Sequence, residues 1–308
     1  MAITLLQLVD RVSGELGLAQ PSIVIGSGLN QTMQLLALTQ SLGEDLNREF
    51  EWQRSVRAYI FQTTAAQVFP GCTLYGSTLV NGAVSTGGLT PGMVISGSGI
   101  APYAEIVSIS SGNEFVMNVP ATSGTGSVPV TSTLTFAVQD YALPADYNRM
   151  ISDTNWDRTN HWRNLGPKSS QEWQTLQGGV ISTGPRERFR VVDNKLRFFP
   201  APTAAYNEAF EYVSNYWVIA AAGTTATKES FTVDSDTCIF PDALMRAGLK
   251  YYFLNAKKLE CGVEQKKFED LKAMAKAQDQ PVSMQSLTPV DLPMLIGPWS
   301  VPDGSWQF

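Results

Sequence analysis

The sequence predicts an α+β protein: a helical core with a small β-sheet and hairpin part, interrupted by an all-β module. Three observations predict this fold class. Apolar residues recur at helical spacing in the first 50 residues and again after Phe240. Short runs of β-type residues, separated by Gly, Pro, Ser and Asn, fill residues 68–136. A two-residue Asp193-Asn194 turn between alternating apolar residues predicts a β-hairpin.

The N-terminal region is predicted to hold two helices. The first has apolar residues at helical spacing over 5–16 and ends at Gly17. It is preceded by Thr4 and Gln7 at capping-box spacing, in which each side chain satisfies a backbone amide of the other residue. The second helix runs from about residue 29 to residue 50.

The second helix carries two apolar rows. The first row is Leu35, Leu38, Leu42 and Leu46, and the second is Leu29, Met33 and Leu36. Two rows predict that this helix is buried on more than one side. Trp52, Val56 and the segment 59–63 are predicted to form the strand that follows.

The middle of the chain has a different composition. No Lys or Arg occurs between Arg57 and Arg149, and Gly, Ser, Thr and Val dominate. The predicted strands are Thr73–Val80, Met93–Ser96, Glu105–Ile109, Glu114–Val119 and Val128–Val138. Because the helical pattern resumes later, we interpret this module as an insertion at an exposed loop.

The remainder is predicted to be α+β. A strand over 210–218 follows the hairpin, and a helix begins near Phe240 with Pro241 in its first turn. One face of that helix is predicted to hold Leu244, Gly248, Tyr251, Tyr252 and Leu259. Gly262 separates it from a last helix that carries Phe268, Leu271 and Ala275.

These patterns predict three parts. Residues 1–67 and 138–279 form the core, and residues 68–137 form the inserted β-rich module. Residues 280–308 form an extended arm with five prolines, two acids and no base. Since proline removes a backbone donor and clashes with the preceding turn, this arm cannot be helical throughout. Its apolar side chains are predicted to bind a partner: Leu295, Ile296, Trp299, Val301, Trp306 and Phe308.

Composition excludes several classes of protein. Charged residues make up 16% of the chain, against about 25% in ordinary domains, which indicates that neighbouring molecules cover part of the surface. The net charge of -6 does not favour nucleic acid as a ligand. Three widely spaced cysteines fit a reducing compartment. Neither a signal peptide nor a membrane span is expected, so the protein is predicted to be made in a cytoplasm.

Little in the sequence indicates catalysis, a cofactor or a metal. His161 is the only histidine, and a structural or surface role is favoured for it over catalysis. Residues 24–28 look like a phosphate loop but lack the third glycine or the Gly-Lys-Ser/Thr that nucleotide loops carry. Ser27 as a helix N-cap explains the segment without a ligand. The carboxylates are scattered, and we predict that the chain is not an enzyme.

Two basic clusters have a structural and a functional interpretation. The C-terminal helices carry Lys257, Lys258, Lys266, Lys267, Lys272 and Lys276, interleaved with acids. Pairs of Glu and Lys one turn apart explain most of them, although an acidic partner or DNA remains an alternative. The hairpin carries Arg186, Arg188, Arg190, Lys195 and Arg197. A solvated face is the default for these, with a DNA-filled channel as the alternative.

One element resembles a known family. The segment 141–157 begins Tyr-Ala-Leu-Pro-Ala-Asp-Tyr, with Tyr141, Leu143, Pro144, Asp146 and Tyr147 at the positions of the motif. It resembles the Tyr-x-Leu-Pro-x-Asp-Phe element of the head-to-tail adaptors of tailed bacteriophages, the group that includes the tail tubular protein A of short-tailed phages. The order of the surrounding helices, hairpin and strand is similar over about 1–66 and 140–279. Because Pro144 pushes the preceding residue toward an extended shape, we expect Asp146 to cap the following turn.

The resemblance implies a virion protein at the head–tail junction. Such a protein forms a homo-oligomeric, dodecameric ring that binds the portal ring and the tail or nozzle proteins. It encloses the channel through which genomic DNA passes without sequence-specific binding. The motif residues are structural, so the resemblance carries over no catalytic residue.

Two rival functions remain open. A tail-fibre or receptor-binding protein would use the inserted β module to bind a host surface. A tail-associated cell-wall hydrolase would need two opposed carboxylates in a cleft.

Overall fold

A computed structural model describes residues 3–82, 85–178 and 187–279. Its five described helices are α1 (Leu5–Glu15), α2 (Asn30–Glu49), α3 (Ser170–Gly178), α4 (Asp242–Ala256) and α5 (Gly262–Asp279). Its first strands are β1 (Val56–Gln62), β2 (Gln67–Leu74), β3 (Leu79–Asn81), β4 (Val94–Gly97), β5 (Ala104–Ser111), β6 (Glu114–Met117) and β7 (Val130–Ala137). Further strands are β8 (Asp140–Ala142), β9 (Tyr147–Met150), β10 (Trp156–Asp157), β11 (Trp162–Arg163), β12 (Arg188–Val192) and β13 (Lys195–Phe199). The last are β14 (Asn207–Ser214), β15 (Val218–Ile219), β16 (Ala226–Lys228) and β17 (Thr237–Cys238).

The mixture of helices and antiparallel sheets confirms the α+β class, and the chain divides into two compact units. Unit 1 contains the chain up to Arg57, the segment Asp146–Met150 and the chain from Tyr212 onwards. Unit 2 contains Ala58–Ala145 and Ile151–Glu211.

In unit 1, α1 begins as the sequence predicts. The Thr4 hydroxyl accepts from the Gln7 amide, and the Gln7 side chain accepts from the Thr4 amide, both at 3.3 Å. The apolar row of α1, including Leu5, Leu8 and Val12, is at most 1% exposed. Each such side chain contributes roughly 1.5–3 kcal/mol when it leaves water. Both the helix start and its buried face therefore follow from local sequence.

Helix α2 buries one of its two apolar rows. Leu35, Leu42 and Leu46 are at most 1% exposed, whereas Leu29 and Met33 of the second row are each 54% exposed. Leu36 of the second row packs partly buried against the core, so the prediction that α2 is buried on more than one side is wrong for Leu29 and Met33 but not for Leu36. Periodicity records which residues are apolar but not which element covers them.

Two glycines allow close packing around α2. A Cβ atom at Gly43 would lie 2.2 Å from the ring of Trp217, and one at Gly248 of α4 would lie 2.8 Å from Leu42. Trp217 is 1% exposed. Glycine at these positions thus lets an indole ring and a neighbouring helix approach the helix backbone.

The boundaries of α4 and α5 differ from the prediction. Pro241 is the N-cap of α4 and not a residue of its first turn. Helix α4 ends at Ala256, so Leu259 lies in the connection, where it is 56% exposed. Gly262 begins α5. The prediction that Leu259 lies on the face of α4 is therefore wrong.

The β structure of unit 1 consists of short pairings. Strand β9 pairs antiparallel with the end of β14, with Met150 opposite Tyr212. Strands β16, β15 and β17 form a three-stranded sheet in that order.

In unit 2, β2 to β7 form a closed barrel in the order β2-β3-β6-β5-β4-β7. The barrel core includes Leu74, Phe115 and Phe136, all 0% exposed, and the two phenylalanine rings meet edge to face at 5.3 Å. The predicted single strand over 73–80 is wrong, because Leu74 pairs with Val80 across a turn. Closure of the sheet leaves no free edge in the barrel.

The rest of unit 2 contains the predicted hairpin and an unpredicted helix. Strands β12, β13 and β8 form one sheet, and the turn residues Asp193 and Asn194 have φ values of 52° and 54°, as a type I′ turn requires. In a second sheet, β10 pairs with β11 and with β14. Helix α3 buries Trp173, whose ring lies 5.7 Å from that of Phe199.

Candidate functional site

The first half of the motif element is fixed in unit 2. Tyr141 of β8 pairs with Leu196 of β13, and its hydroxyl accepts from the Thr64 amide at 3.1 Å and donates to the Val138 carbonyl at 3.2 Å. Burial raises the pKa of Tyr141 to about 12. Leu143 is also buried. Both side chains serve as anchors of the packed interior.

The second half of the motif centres on Asp146 in unit 1. Asp146 is 7% exposed. Its carboxylate accepts from Arg57 Nη1 at 2.8 Å, from the Tyr212 hydroxyl at 2.9 Å and from the Ser214 hydroxyl at 2.6 Å. Its carbonyl accepts from the Asn215 amide at 2.8 Å. Burial, and the hydrogen bond to this carboxylate, raise the pKa of Tyr212 to about 12.

These contacts correct the predicted role of Asp146. We expected its carboxylate to cap the following turn, but its partners lie 66 to 89 residues away in the sequence. It is the hydroxyl of Tyr147 that accepts the amide of Met150, at 3.0 Å. Asp146 therefore joins three distant segments of unit 1.

We predict that Asp146→Asn destabilises unit 1 by about 3 kcal/mol, because Arg57 would lose the charge that compensates its partly buried guanidinium. Urea unfolding checks this value. The matched control is Glu51→Gln, which breaks the exposed Glu51–Arg149 pair of the same unit and should cost less than about 1 kcal/mol. Equal losses for the two variants would contradict a structural role for the Asp146 network.

Unit 2 contains a cluster of buried carboxyl groups that sequence reasoning missed. Glu208 is 0% exposed, and one of its oxygens accepts from Asn164 Nδ2 at 2.6 Å. Burial, followed by the nearby charge of Asp157, raises the pKa of Glu208 to about 7. Burial, followed by the charges of Glu208 and Asp157, raises the pKa of Glu187 to about 8. Because Glu208 is fully buried, a substrate cannot contact it, so opposed carboxylates of the hydrolase kind are not formed here.

This cluster predicts a pH-dependent stability. Below pH 4.5 these glutamates are protonated in both states, and between 4.5 and their raised pKa values only the folded state keeps the protons. Stability should therefore fall as the pH rises from 5 to 8. Glu208→Gln should remove roughly 2 kcal/mol of that loss. Chemical unfolding at pH 5 and at pH 8 measures this loss of unfolding free energy. The exposed Glu211→Gln of the same strand is the control. If Glu208→Gln lost as much stability between the two pH values as the natural chain, the prediction would be contradicted.

The loop over 24–28 is occupied by a carboxylate of the chain. The amides of Val24 and Ile25 donate to the Asp234 carboxylate at 3.0 and 2.7 Å. These are the backbone donors that a phosphate would need. The N-cap of α2 is Leu29, whose amide donates to the Ser27 hydroxyl at 3.3 Å, so the prediction of Ser27 as N-cap is wrong.

The histidine and the cysteines form no catalytic or metal-binding group within the described residues. His161 is exposed in the β10–β11 turn, with φ of 58°. The three cysteines are free, and burial raises the pKa of the Cys238 thiol to about 12. Among the described residues, no group of three His, Cys, Asp or Glu side chains could hold a metal ion.

One cavity of about 320 Å³ lies in unit 2. Its lining is largely apolar and includes Ile95, Tyr103 and Phe199. Two of its polar side chains are bonded to each other, since Gln139 Nε2 donates to Glu105 Oε1 at 2.8 Å. The cavity therefore offers space but few free groups to orient a polar ligand.

Several of the basic residues make internal contacts. Lys272 and Lys276 of α5 pair with Glu49 of α2 at 3.1 and 2.8 Å, and these hydrogen bonds lower the pKa of Glu49. In the hairpin, Arg197 forms a bidentate pair with Asp140 at 2.6 and 2.7 Å, and Arg190 covers the Trp173 ring at 4.6 Å. These contacts favour structure over DNA binding for the residues involved.

Some predicted residues lie outside the described ranges. These are Arg186 of the hairpin and the whole arm, with Leu295, Ile296, Trp299, Val301, Trp306 and Phe308. Of the helices in the described ranges, none is long and apolar enough to cross a membrane.

Comparison with known families identifies the chain. The model of the SU10 adaptor protein family matches residues 111–290, more than half of the chain. The chain belongs to the SU10 adaptor protein family, and it is a phage structural adaptor protein. The matched range begins in β5 and includes the Asp146 element, the hairpin, α4 and α5. No curated protein matched the chain.

Proposed function

We propose that the protein is a head-to-tail adaptor of a tailed phage, a virion protein that forms a ring between the portal and the tail. The family match over 111–290 is the observation that carries the proposal. The Leu143-Pro144-x-Asp146 element supports the finer placement beside tail tubular protein A of short-tailed phages, because it resembles the motif of that group, and Leu143 and Asp146 are buried.

The ring is proposed to be a dodecamer that encloses the DNA channel. Genomic DNA passes through it without sequence-specific contacts, which fits a net charge of -6. The portal ring and the tail or nozzle proteins are its partners. The low share of charged residues, 16%, suits a subunit that buries much surface in an assembly.

Each part of the chain has a role in this proposal. The helical adaptor core, 1–67 and 138–279, forms the ring, and the module 68–137 projects from it. The arm 280–308 binds the portal or a neighbouring subunit through its apolar side chains. With five prolines in 29 residues, the arm is suited to lie extended in the pockets of a partner.

The test is the mass of the purified protein, measured alone and with portal rings. We expect a monomer that becomes a ring on the portal, because the portal would template the assembly. Deletion of 281–308 should abolish docking, and the substitution of Trp299 and Trp306 by alanine in the full chain should weaken it. A stable trimer that ignores the portal would contradict the adaptor function, and full docking by the truncated chain would contradict the role of the arm.

Removal of the barrel distinguishes the receptor-binding alternative from the adaptor function. Gln67 and Phe136 are opposite residues of the β2–β7 ladder, so their Cα atoms are about 5 Å apart. A short Gly-Ser linker can therefore replace residues 68–135. We expect the shortened chain to form rings on the portal as the full chain does. Loss of host adsorption by phage that still assemble would instead favour a receptor-binding module.

A further inference from the structure

An uncharged surface lies on unit 1. Between Glu15 and Glu44 the chain has 28 residues without a single charge, where an average share of 16% would give about four. Ile23, Leu29 and Met33 in this segment are 52%, 54% and 54% exposed. Leu29 and Met33 lie one turn apart on α2, so they form one row. We name Ile23, Leu29 and Met33 the α2 face.

The α2 face is held in place before any partner binds. The Asp234 carboxylate accepts from both Val24 and Ile25, the two residues after Ile23. Ser27 is buried, and its hydroxyl accepts the Leu29 amide. A surface with few freely moving parts loses little conformational entropy on binding.

Unit 1 exposes a second apolar surface on α5. Val263 and Met274 are 79% and 57% exposed, and their spacing of 11 residues places them on one side of the helix. Val263 and Leu271 line a shallow groove of about 470 Å³, together with Lys266, Lys267 and Asp270. We name these groove residues and Met274 the α5 face.

The α5 face is net positive, because it carries two lysines and one acid, Asp270, whereas the charge on the side of α2 that holds Met33 is the acid Glu44. Glu44 follows Met33 by 11 residues, so it lies on the same side of α2, and it is exposed. Within the described residues, Glu44 forms no ion pair, and neither do Lys266 and Lys267 of the α5 face. The other lysines of α5 differ, since Lys272 and Lys276 pair with Glu49. Both faces are thus apolar, and the two lysines of the α5 face are opposite in charge to Glu44, which lies about three turns along α2 from Met33.

We infer that the α2 face of one copy of this chain docks onto the α5 face of the next copy. The inference rests on the proposed ring and names the surfaces that build it. A second copy is the occupant because each copy exposes both faces, and one repeated contact covers the two. A single different partner on either face would leave the other face exposed. Contacts between two different surfaces of identical subunits continue from copy to copy, and they form a ring when the rotation between neighbouring copies closes.

Two matched pairs of variants test this contact on portal rings. Met33→Lys and Val263→Lys each place a charge in the contact, whereas Gln31→Lys and Gln265→Lys add the same charge to exposed positions on other sides of α2 and α5. We expect each of the first two to raise the protein concentration needed for ring assembly about tenfold or more, since a charge buried in an apolar contact is costly. The controls should assemble like the natural chain, and thermal unfolding should be the same for all four.

The results separate this inference from the proposed function. If the natural chain forms no ring with portal protein, the proposed function is wrong. If the natural chain assembles and the Met33 and Val263 variants assemble as well as their controls, only the α2–α5 contact is wrong, and the portal or the arm covers these faces.

Mixing the variants tests the direction of the contact. The Met33→Lys copy keeps an intact α5 face, and the Val263→Lys copy keeps an intact α2 face. On portal rings, chemical cross-linking of the mixture should therefore yield a dimer containing one copy of each, while the natural chain, which assembles there, yields a ladder of larger species. Dimers of the Val263→Lys variant alone would show that α2 faces contact each other, and would overturn the inference.

Discussion

The charge of Asp146 is held almost out of contact with water by a guanidinium and two hydroxyls. These donors come from Arg57, at the start of β1, and from Tyr212 and Ser214, at the end of β14. A carboxylate this buried is tolerated only when all its partners are in position. The interior of unit 1 at this point therefore depends on three segments, far apart in sequence, that meet around one side chain.

The same chain also accommodates an independent barrel. Because Gln67 and Phe136 are paired in the β2–β7 ladder, the chain enters and leaves the barrel at neighbouring points. The barrel has its own core, and residues 67–137 contain only two charged residues, Glu105 and Glu114. A closed barrel leaves no strand edge for pairing with other chains. Its uncharged surface therefore does not carry the aggregation risk of an open sheet.

The sequence predicted the features whose cause is local. The Thr4–Gln7 capping box and the Asp193-Asn194 turn involve residues at most three positions apart, and the structure confirms both. The buried carboxyl cluster was missed because Glu208 and its neighbour Asp157 are 51 residues apart, with no pattern that joins them. The role given to Asp146 was wrong for the same reason. A local motif identifies a residue such as Asp146, but the residues that it contacts come from distant segments and depend on the fold.

Helix α2 shows a second limit of sequence patterns, because an apolar row in the sequence does not have to be buried within the same chain. The sequence shows two apolar rows on this helix, but Leu29 and Met33 of the second row are exposed within the described residues. The charges of unit 1 follow the same division. On the inner side, Lys272 and Lys276 compensate Glu49 between helices. On exposed sides, Glu44 and Lys267 have no ion-pair partner among the described residues, and Lys267 lines the same groove as the exposed Val263. A monomer would gain nothing from an uncharged, apolar row on its surface. Such a row is stabilising once a second molecule covers it, as the proposed contact between copies requires.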